Sequence, residues 1–401
     1  LLLLPIIFPQ LTSTMFRTPE KKKSDSCSIN AVNAKYSISE DPNEAWRIIS
    51  SSQEFQPVPI ASHTTSHEIT SFTRIVCMSD THGKHREVFI PKCDVLIHAG
   101  DFTKCGEARS TTDLANFFSE VMQEGKAKKI ICIAGNHEKS FDPECNNQNW
   151  ERFERKNKST KLEDAINAKD YLKDHCTYLE DDPILYDNIS VFGSPWSPMY
   201  GNCWAFGMDR HKIHAIWDQI PNETDILITH GPPLGRGDLA RGRTRAGCVN
   251  LLEQVQGRIK PRLHVFGHIH EGYGCSYDGH TLYVNASSCT LKYQVENPCV
   301  VVDLPTDLKD PPILVSPRCT LSGTNVLIWL KQHGYNRIYP YFENRKPLLD
   351  GSAIMSHDMD LEHIISLLKM HSFKVPNQVA SFRELRNELA TAMMHLRSDS
   401  Y

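Results

Sequence analysis

A chain of 401 residues, 40% hydrophobic and 23% charged, is long enough for two or three domains and has the make-up of ordinary soluble globular protein. Its net charge of −4 supplies no bulk electrostatic pull, which argues against nucleic acid or an acidic membrane surface as the main partner. Thirteen cysteines include no C-x-x-C pair, and Cys77 and Cys132 sit inside apolar runs, so the thiols read as reduced and the setting as cytoplasmic.

In chain order, the opening LLLLPIIFPQ lacks a basic region, and its apolar run is far shorter than the roughly 20 residues a bilayer span needs. It reads as a fragment end or translated upstream sequence, with Met15 as a candidate start and a truncated signal peptide as the rival reading. Residues 1–71 as a whole are expected to be a mostly disordered tail. The one ordered candidate within it is EAWRIIS, where Trp46 and Ile49 could dock on the domain that follows.

From Arg74 the chain turns to short β-branched runs bounded by turn residues: RIVCM, DVLIHA, KKIICIA, ISVFGS, DILIT, LHVFG, TLYVNA and CVVVDL. Between them, TDLANFFSEVMQEG places Leu114, Phe117, Phe118, Val121 and Met122 on one helical face, with Thr112 or Asp113 as cap and Gly125 as stop. LEDAINAKDYL and CVNLLEQVQGRI read as helices too. Strands that are continuously apolar predict an α/β fold over 72–304 whose sheet is covered on both faces. A Pro-rich linker over 305–320 and amphipathic segments over 321–396 predict a small all-α helical bundle at the end.

Five of the runs end in residues that metals favour. They lead to Asp80 and His82 in SDTH, Asp101 in GD, Asn136 and His137 in GNHE, His230 in THGPP, and His268 and His270 in GHIH. Alone, VFGHIHEGYG is equally a polar turn. Loops at the carboxyl ends of strands in an α/β sheet can nevertheless converge across a long stretch of chain. Asp101 between two cations would offset their repulsion. On extended backbone the i, i+2 pairs would point together, so that Asp80 and His82 grip one ion while His268 and His270 reach different ions. Such mixed N and O donors suit Mn, Fe, Zn, Ni or Co better than Mg or Ca. An ion pair of this kind lowers the pKa of a bridging water from about 15.7 toward 7, giving a hydroxide to attack a phosphate ester. His137, beside Asn136, is the candidate for protonating the leaving oxygen.

The ordered set D-x-H, G-D, G-N-H-E, T-H-G-P-P and G-H-x-H resembles the calcineurin-like metallophosphoesterases. Over about residues 72–304, SDTHGKH, LIHAGDFT, GSPW, THGPPLG, PRLHVFGHIHEGYG and VNASSC are similar to the metallophosphoesterase-domain-containing group, grouped with class III cyclic-nucleotide phosphodiesterases. The resemblance implies a β-sandwich flanked by helices and two divalent ions, Mn first among the choices. It places Asp80, His82, Asp101 and His270 on one ion and Asp101, Asn136, His230 and His268 on the other. Asp101 and His137 would be catalytic. Some members carry Gly where this chain has His268, and these bind nucleoside monophosphate but are poor enzymes; the His here favours activity.

Expected substrate contacts are Asn136, His137, Trp196 from the aromatic stretch GSPWSPMYGNCWAFG, and Arg236 from the basic stretch RGDLARGRTRAG. The expected function is hydrolysis of a small phosphodiester, nucleotide or cyclic nucleotide. The alternative is a nucleotide-binding scaffold acting through its tail. WLKQHGY, YPYF, LDGSAIM and DMDLEHI in that tail resemble a SAM domain, which implies protein partners or self-association, while HSFKVPNQ departs from the usual turn before the last helix.

Overall fold

The computed structural model describes residues 41–60, 71–142, 161–201, 204–242 and 244–315, with positions 330, 337–344, 365 and 384–389 beyond them. Two six-stranded sheets form its centre. The first is built from β1 (Phe72–Met78), β2 (Val95–Ala99), β3 (Lys129–Ile133), β4 (Thr177–Leu179), and, from further along the chain, Val300–Pro305 and Ile313–Leu314. The second takes β5 (Asp182–Tyr186), β6 (Ile189–Ser194), β7 (Ile226–Thr229), β8 (Leu263–Phe266), β9 (Gly274–Tyr277) and β10 (Leu282–Asn285); the two late strands of the first sheet are then β11 and β12. Neighbours run β12-β11-β1-β2-β3-β4 and β9-β10-β8-β7-β6-β5. The pairs β1–β2, β2–β3, β6–β7 and β7–β8 are parallel, so their carboxyl ends share an edge within each sheet.

Alternation along β1 shows why the runs are apolar on every residue. Ile75 and Cys77 face the second sheet and meet Ile226, Ile228 and Val265, while Val76 and Met78 face outward onto Leu114, Phe117 and Phe118. The second sheet repeats the scheme, with Phe192, Leu227 and Phe266 turned outward onto Trp217, Leu251 and Val255. Both faces of the central strands are thus dry, as expected for strands from βαβ units, whereas the edge strand β5 leaves Leu185 72% exposed. The expected α/β sandwich flanked by helices is what the chain forms.

The helix α1 (Pro42–Ile49) lies in the stretch expected to be a tail, and Trp46 docks as anticipated. Arg245 stacks on its ring at 4.5 Å, and a Cβ on Gly235 would meet that ring at 1.9 Å, so only glycine leaves room for it. The helix α2 (Ala108–Gln123) starts a turn earlier than its sequence indicates, with Glu107 at the cap. Asp113, one of the two expected caps, is taken by Arg86 and His85. Leu114, Phe117, Phe118 and Val121 are buried, Met122 is 40% exposed, and Gly125 ends the helix in left-handed backbone. The helix α3 (Leu162–Lys173) matches LEDAINAKDYL. The tail expected to be SAM-like lies outside the described residues, apart from a short helix, Tyr339–Asn344, a helical stretch over 384–389, and scattered positions. Among the described residues no helix is long and apolar enough to cross a membrane.

Candidate metal centre

Loops after β1, β2 and β3 of one sheet and after β7 and β8 of the other bring all seven expected ligands together. Asp80, His82 and His270 form one group of convergent donor atoms, and Asp101, His230 and His268 form another. Asn136 joins the second group, its Oδ1 lying 2.9 Å from His230 Nε2 and 2.7 Å from His268 Nδ1. Asp101 links the groups: it shares a further set of convergent donors with His82 and His137, its Oδ2 lying 3.9 Å from His137 Nε2, and its Oδ1 is 3.3 Å from His230 Nε2.

The backbone, however, is not extended where the i, i+2 argument assumed it. Asp80 (φ 53°), His82 (φ 46°), Asp101 (φ 55°) and His268 (φ 68°) all occupy the left-handed region. They are four of the ten non-glycine residues found there among the described residues. The Asp-x-His pair converges because both of its ends are left-handed, and His270 opens a tight turn. Each such residue carries roughly 1–2 kcal/mol of backbone strain, least for Asp. The concentration of strain at one edge marks a functional site.

Imidazole tautomers are set from behind. His82 Nδ1–H donates to Thr103 O (3.1 Å), His230 Nδ1–H to Ala99 O (2.9 Å) and His270 Nδ1–H to Thr290 O (3.1 Å), leaving three Nε2 lone pairs directed inward. His82 Nε2 and His270 Nε2 face each other at 3.2 Å. His268 is different: it turns Nδ1 to the cluster, and its backbone N–H donates to Asp80 at 3.0 Å. Burial pushes His82 and His268 down to about 4. Burial also opposes charge on His230 and His270, yet Asp101 and Asp80 beside them raise both to about 9. The carboxyls would be raised by burial, but the imidazoles hold both below the usual range. A buried cluster of facing lone pairs and carboxylates that draws protons onto two of its imidazoles is short of positive charge. Divalent cations fit it.

Two glycines are needed for close approach. A Cβ on Gly135 would lie 2.4 Å from Asp101 Oδ1, and one on Gly267 would lie 2.0 Å from Asp80 Oδ2. Glu138, the last residue of GNHE, ties the loops together. It is wholly buried and accepts from Asp101 N (2.8 Å), Gly135 N (2.7 Å), Thr103 N (2.8 Å) and Thr103 Oγ1 (2.8 Å). Burial and the neighbouring Asp101 push its acid up to about 8, against four donors that favour the ionised form. In Glu138→Gln, an amide NH2 must face two of those donors. The variant is expected to lose about 1–3 kcal/mol of stability and to bind Mn about 10- to 100-fold more weakly. Thermal melts and calorimetric Mn titration check this, and parental Mn affinity would refute the bracing role.

His137 sits at the rim, its Nδ1–H donating to Lys104 O at 2.6 Å. Its ring is 4.4 Å from that of Trp204, over which Lys139 Nζ lies at 4.2 Å, and Tyr293 stands 4.7 Å from His82. Of these neighbours, Trp204 was visible only as one aromatic among several, and Lys139 and Tyr293 carry no motif. Two expected substrate contacts are engaged within the fold. Trp196 Nε1 donates to Asp181 (2.8 Å), and its ring packs edge-on against Phe206 beside the core. Arg236 is fully buried between the rings of Phe55 and Tyr283 and donates to Glu54 O at 2.7 Å. Arg236 thus has no exposed surface to offer a substrate, whereas Trp196 is half-buried. The stretch VNASSC contributes instead through Ser287 Oγ, 2.9 Å from Asp80 Oδ2, and through Asn285 Nδ2, which donates to Ile269 O at 2.8 Å.

Seven N and O donors beyond the carboxyl ends of parallel strands from two mixed sheets make a candidate site for divalent metal. Comparison with known proteins agrees. The calcineurin-like phosphoesterase family profile matches residues 73–272. Metallophosphoesterase domain-containing protein 1 of Homo sapiens is 46% identical over 242 residues, covering 59% of this chain and 72% of that protein, as is its Mus musculus counterpart. A UPF0046 protein of Caenorhabditis elegans is 35% identical over 277 residues, covering 67% of this chain and 94% of its own length. The chain belongs to the calcineurin-like metallophosphoesterases, a family whose membership implies a dinuclear divalent metal site.

Proposed function

We propose that this chain is a phosphodiesterase acting on nucleotide phosphodiesters, cyclic nucleotides included. The observation that carries the reading is the meeting of all seven expected ligands, with His137 at the rim beside the aromatic rings of Trp204 and Tyr293. In this reading Asp80, His82, Asp101 and His270 hold one ion, and Asp101, Asn136, His230 and His268 hold the other. Imidazole-rich donors favour Mn, Fe, Co, Ni or Zn, and Mn is our assignment. When bound, such a pair supplies Lewis acidity and brings the pKa of coordinated water toward about 7.

The chain's own groups do the rest. His137, oriented through Nδ1–H by the Lys104 carbonyl, would as the imidazolium present Nε2–H to protonate the leaving alkoxide and be left as the neutral ring. Trp204 backs the His137 ring, the half-exposed Tyr293 offers aromatic surface to a base, and Lys139 offers a cation to a phosphate. Buried thiols at Cys93, Cys132, Cys248 and Cys289 fit a reducing, cytoplasmic setting. Association with protein partners or with itself is assigned to the C-terminal segment on its sequence resemblance alone.

With Mn present, bis-p-nitrophenyl phosphate and 2′,3′- or 3′,5′-cyclic nucleotides are expected to turn over faster than a monoester or a phosphopeptide. Metal binding without diester turnover above a metal-only control would overturn the enzyme and leave a nucleotide-binding scaffold. Preference for the phosphopeptide would overturn the substrate class.

A further inference from the structure

Each sheet carries one fully buried histidine that the chemistry above does not use. His98 lies on β2 and His264 on β8, one residue from the inner core on the outward face of its sheet. The two sites match. His98 Nε2 is 3.0 Å from the hydroxyl of Thr81, and His264 Nε2 is 2.9 Å from the hydroxyl of Thr229. In both cases the ring rests edge-on against an aromatic: Phe102 at 5.8 Å for His98 and Phe266 at 5.0 Å for His264. In both cases Nδ1 is buried and has no hydrogen-bond partner among the described residues.

The threonines are the telling partners. Thr81 stands between Asp80 and His82, the two left-handed residues of the first loop, and Thr229 directly precedes His230. The Thr229 hydroxyl donates to Gly231 O at 2.7 Å, closing a ring around His230. Its one proton is therefore committed, and His264 must donate from Nε2–H, leaving a lone pair on Nδ1. The same tautomer at His98 avoids the rarer fault, a buried N–H without an acceptor. Burial pushes both imidazoles down to about 3, so both stay neutral in ordinary buffers. A polar ring with an unmet nitrogen is a poor choice for packing alone, because an aliphatic or phenyl ring would fill the space without the desolvation cost.

We propose that His98 and His264 are a matched pair of positioning residues, each fixing through one threonine hydroxyl the loop that serves a different ion of the pair. His98 governs the Asp80–His82 loop and hence the first ion; His264 governs the His230 loop and hence the second. The inference rests on the ligand assignment proposed above.

The test uses the full chain with Mn(II) as the probe. Free Mn(II) is followed by its aqueous EPR signal, and paired Mn(II) by the exchange-coupled signal of two close ions. His98→Phe and His264→Phe keep the ring and its edge contacts but remove the donor; the corresponding Gln variants keep an N–H at the reach of Nε2. Each Phe variant is expected to weaken one of two ions about 10- to 100-fold and to lose the coupled signal at stoichiometric metal, with the Gln variant recovering most of both. Combining each with His268→Gly, which keeps the first ion, separates the two roles. There His98→Phe weakens the remaining ion and His264→Phe does not. Thr81→Val and Thr229→Val remove the same bonds from the other end and must reproduce the pattern if a Phe variant does not fold. Parental Mn binding in these variants, or equal weakening of both ions with Gln no better than Phe, overturns the proposal. A parent that binds fewer than two Mn(II) overturns the ligand assignment, and the pairing with it.

Discussion

Replacing Asp101 by alanine is expected to abolish turnover, with a loss exceeding the roughly 100-fold that outer-shell partners of a metal cost. The side chain is 3% exposed and links the two ligand groups, and its Oδ1 also accepts from the His137 backbone N–H at 2.8 Å. Removing it takes away the one carboxylate both ions would share and frees the loop that carries His137. Asp101→Asn separates charge from shape. It retains an acceptor for the His137 N–H but carries no negative charge between the cations, so it too is expected to lose the ion pair. Mn content after gel filtration and rates on bis-p-nitrophenyl phosphate measure both effects. An alanine variant as active as the parent would refute the site assignment.

The second large effect is at His268. Its side chain reaches the second ligand group through Nδ1, while its backbone N–H donates to Asp80 in the first. In His268→Gly the backbone bond survives and the imidazole does not. The second ion is therefore expected to loosen and turnover to fall by more than about tenfold, while the first ion stays. The backbone adds a counterintuitive outcome. At φ 68° a glycine is unstrained where histidine is not, so the metal-free variant should melt no lower than the parent and gain up to about 1 kcal/mol. Less metal with equal or higher stability is the signature, and a variant that simply melts lower with both ions weakened would contradict it.

The five strand-to-ligand junctions were legible in the sequence because each ligand follows directly on a run that can only be a buried strand. Parallel pairing then puts those ends on one edge. Backbone handedness was not legible: nothing in SDTH or GHIH states that Asp80, His82 and His268 are left-handed, since the penalty is met by tertiary contacts rather than by residue type. The hairpin between β5 and β6 turns on Asp187 and Asn188, both with positive φ, a two-residue signal too short to stand out. Arg236 misled for a physical reason. A guanidinium between two aromatic rings looks in sequence like any basic loop residue, and the ring that hides it, Phe55, comes from a segment about 180 residues earlier that composition marked as tail. Trp196 and Trp204 share one aromatic stretch, and only the fold decides which of them stands by His137.

The left-handed ligands bear on how such a centre persists in a lineage. Four of its positions hold residues that the backbone resists, so a drift to glycine at any of them relaxes the chain while dismantling the metal site. Descendants that lose catalysis in this way would keep the fold, and would keep much of the pocket as well. Inactive but well-folded relatives are then the expected by-product of neutral change.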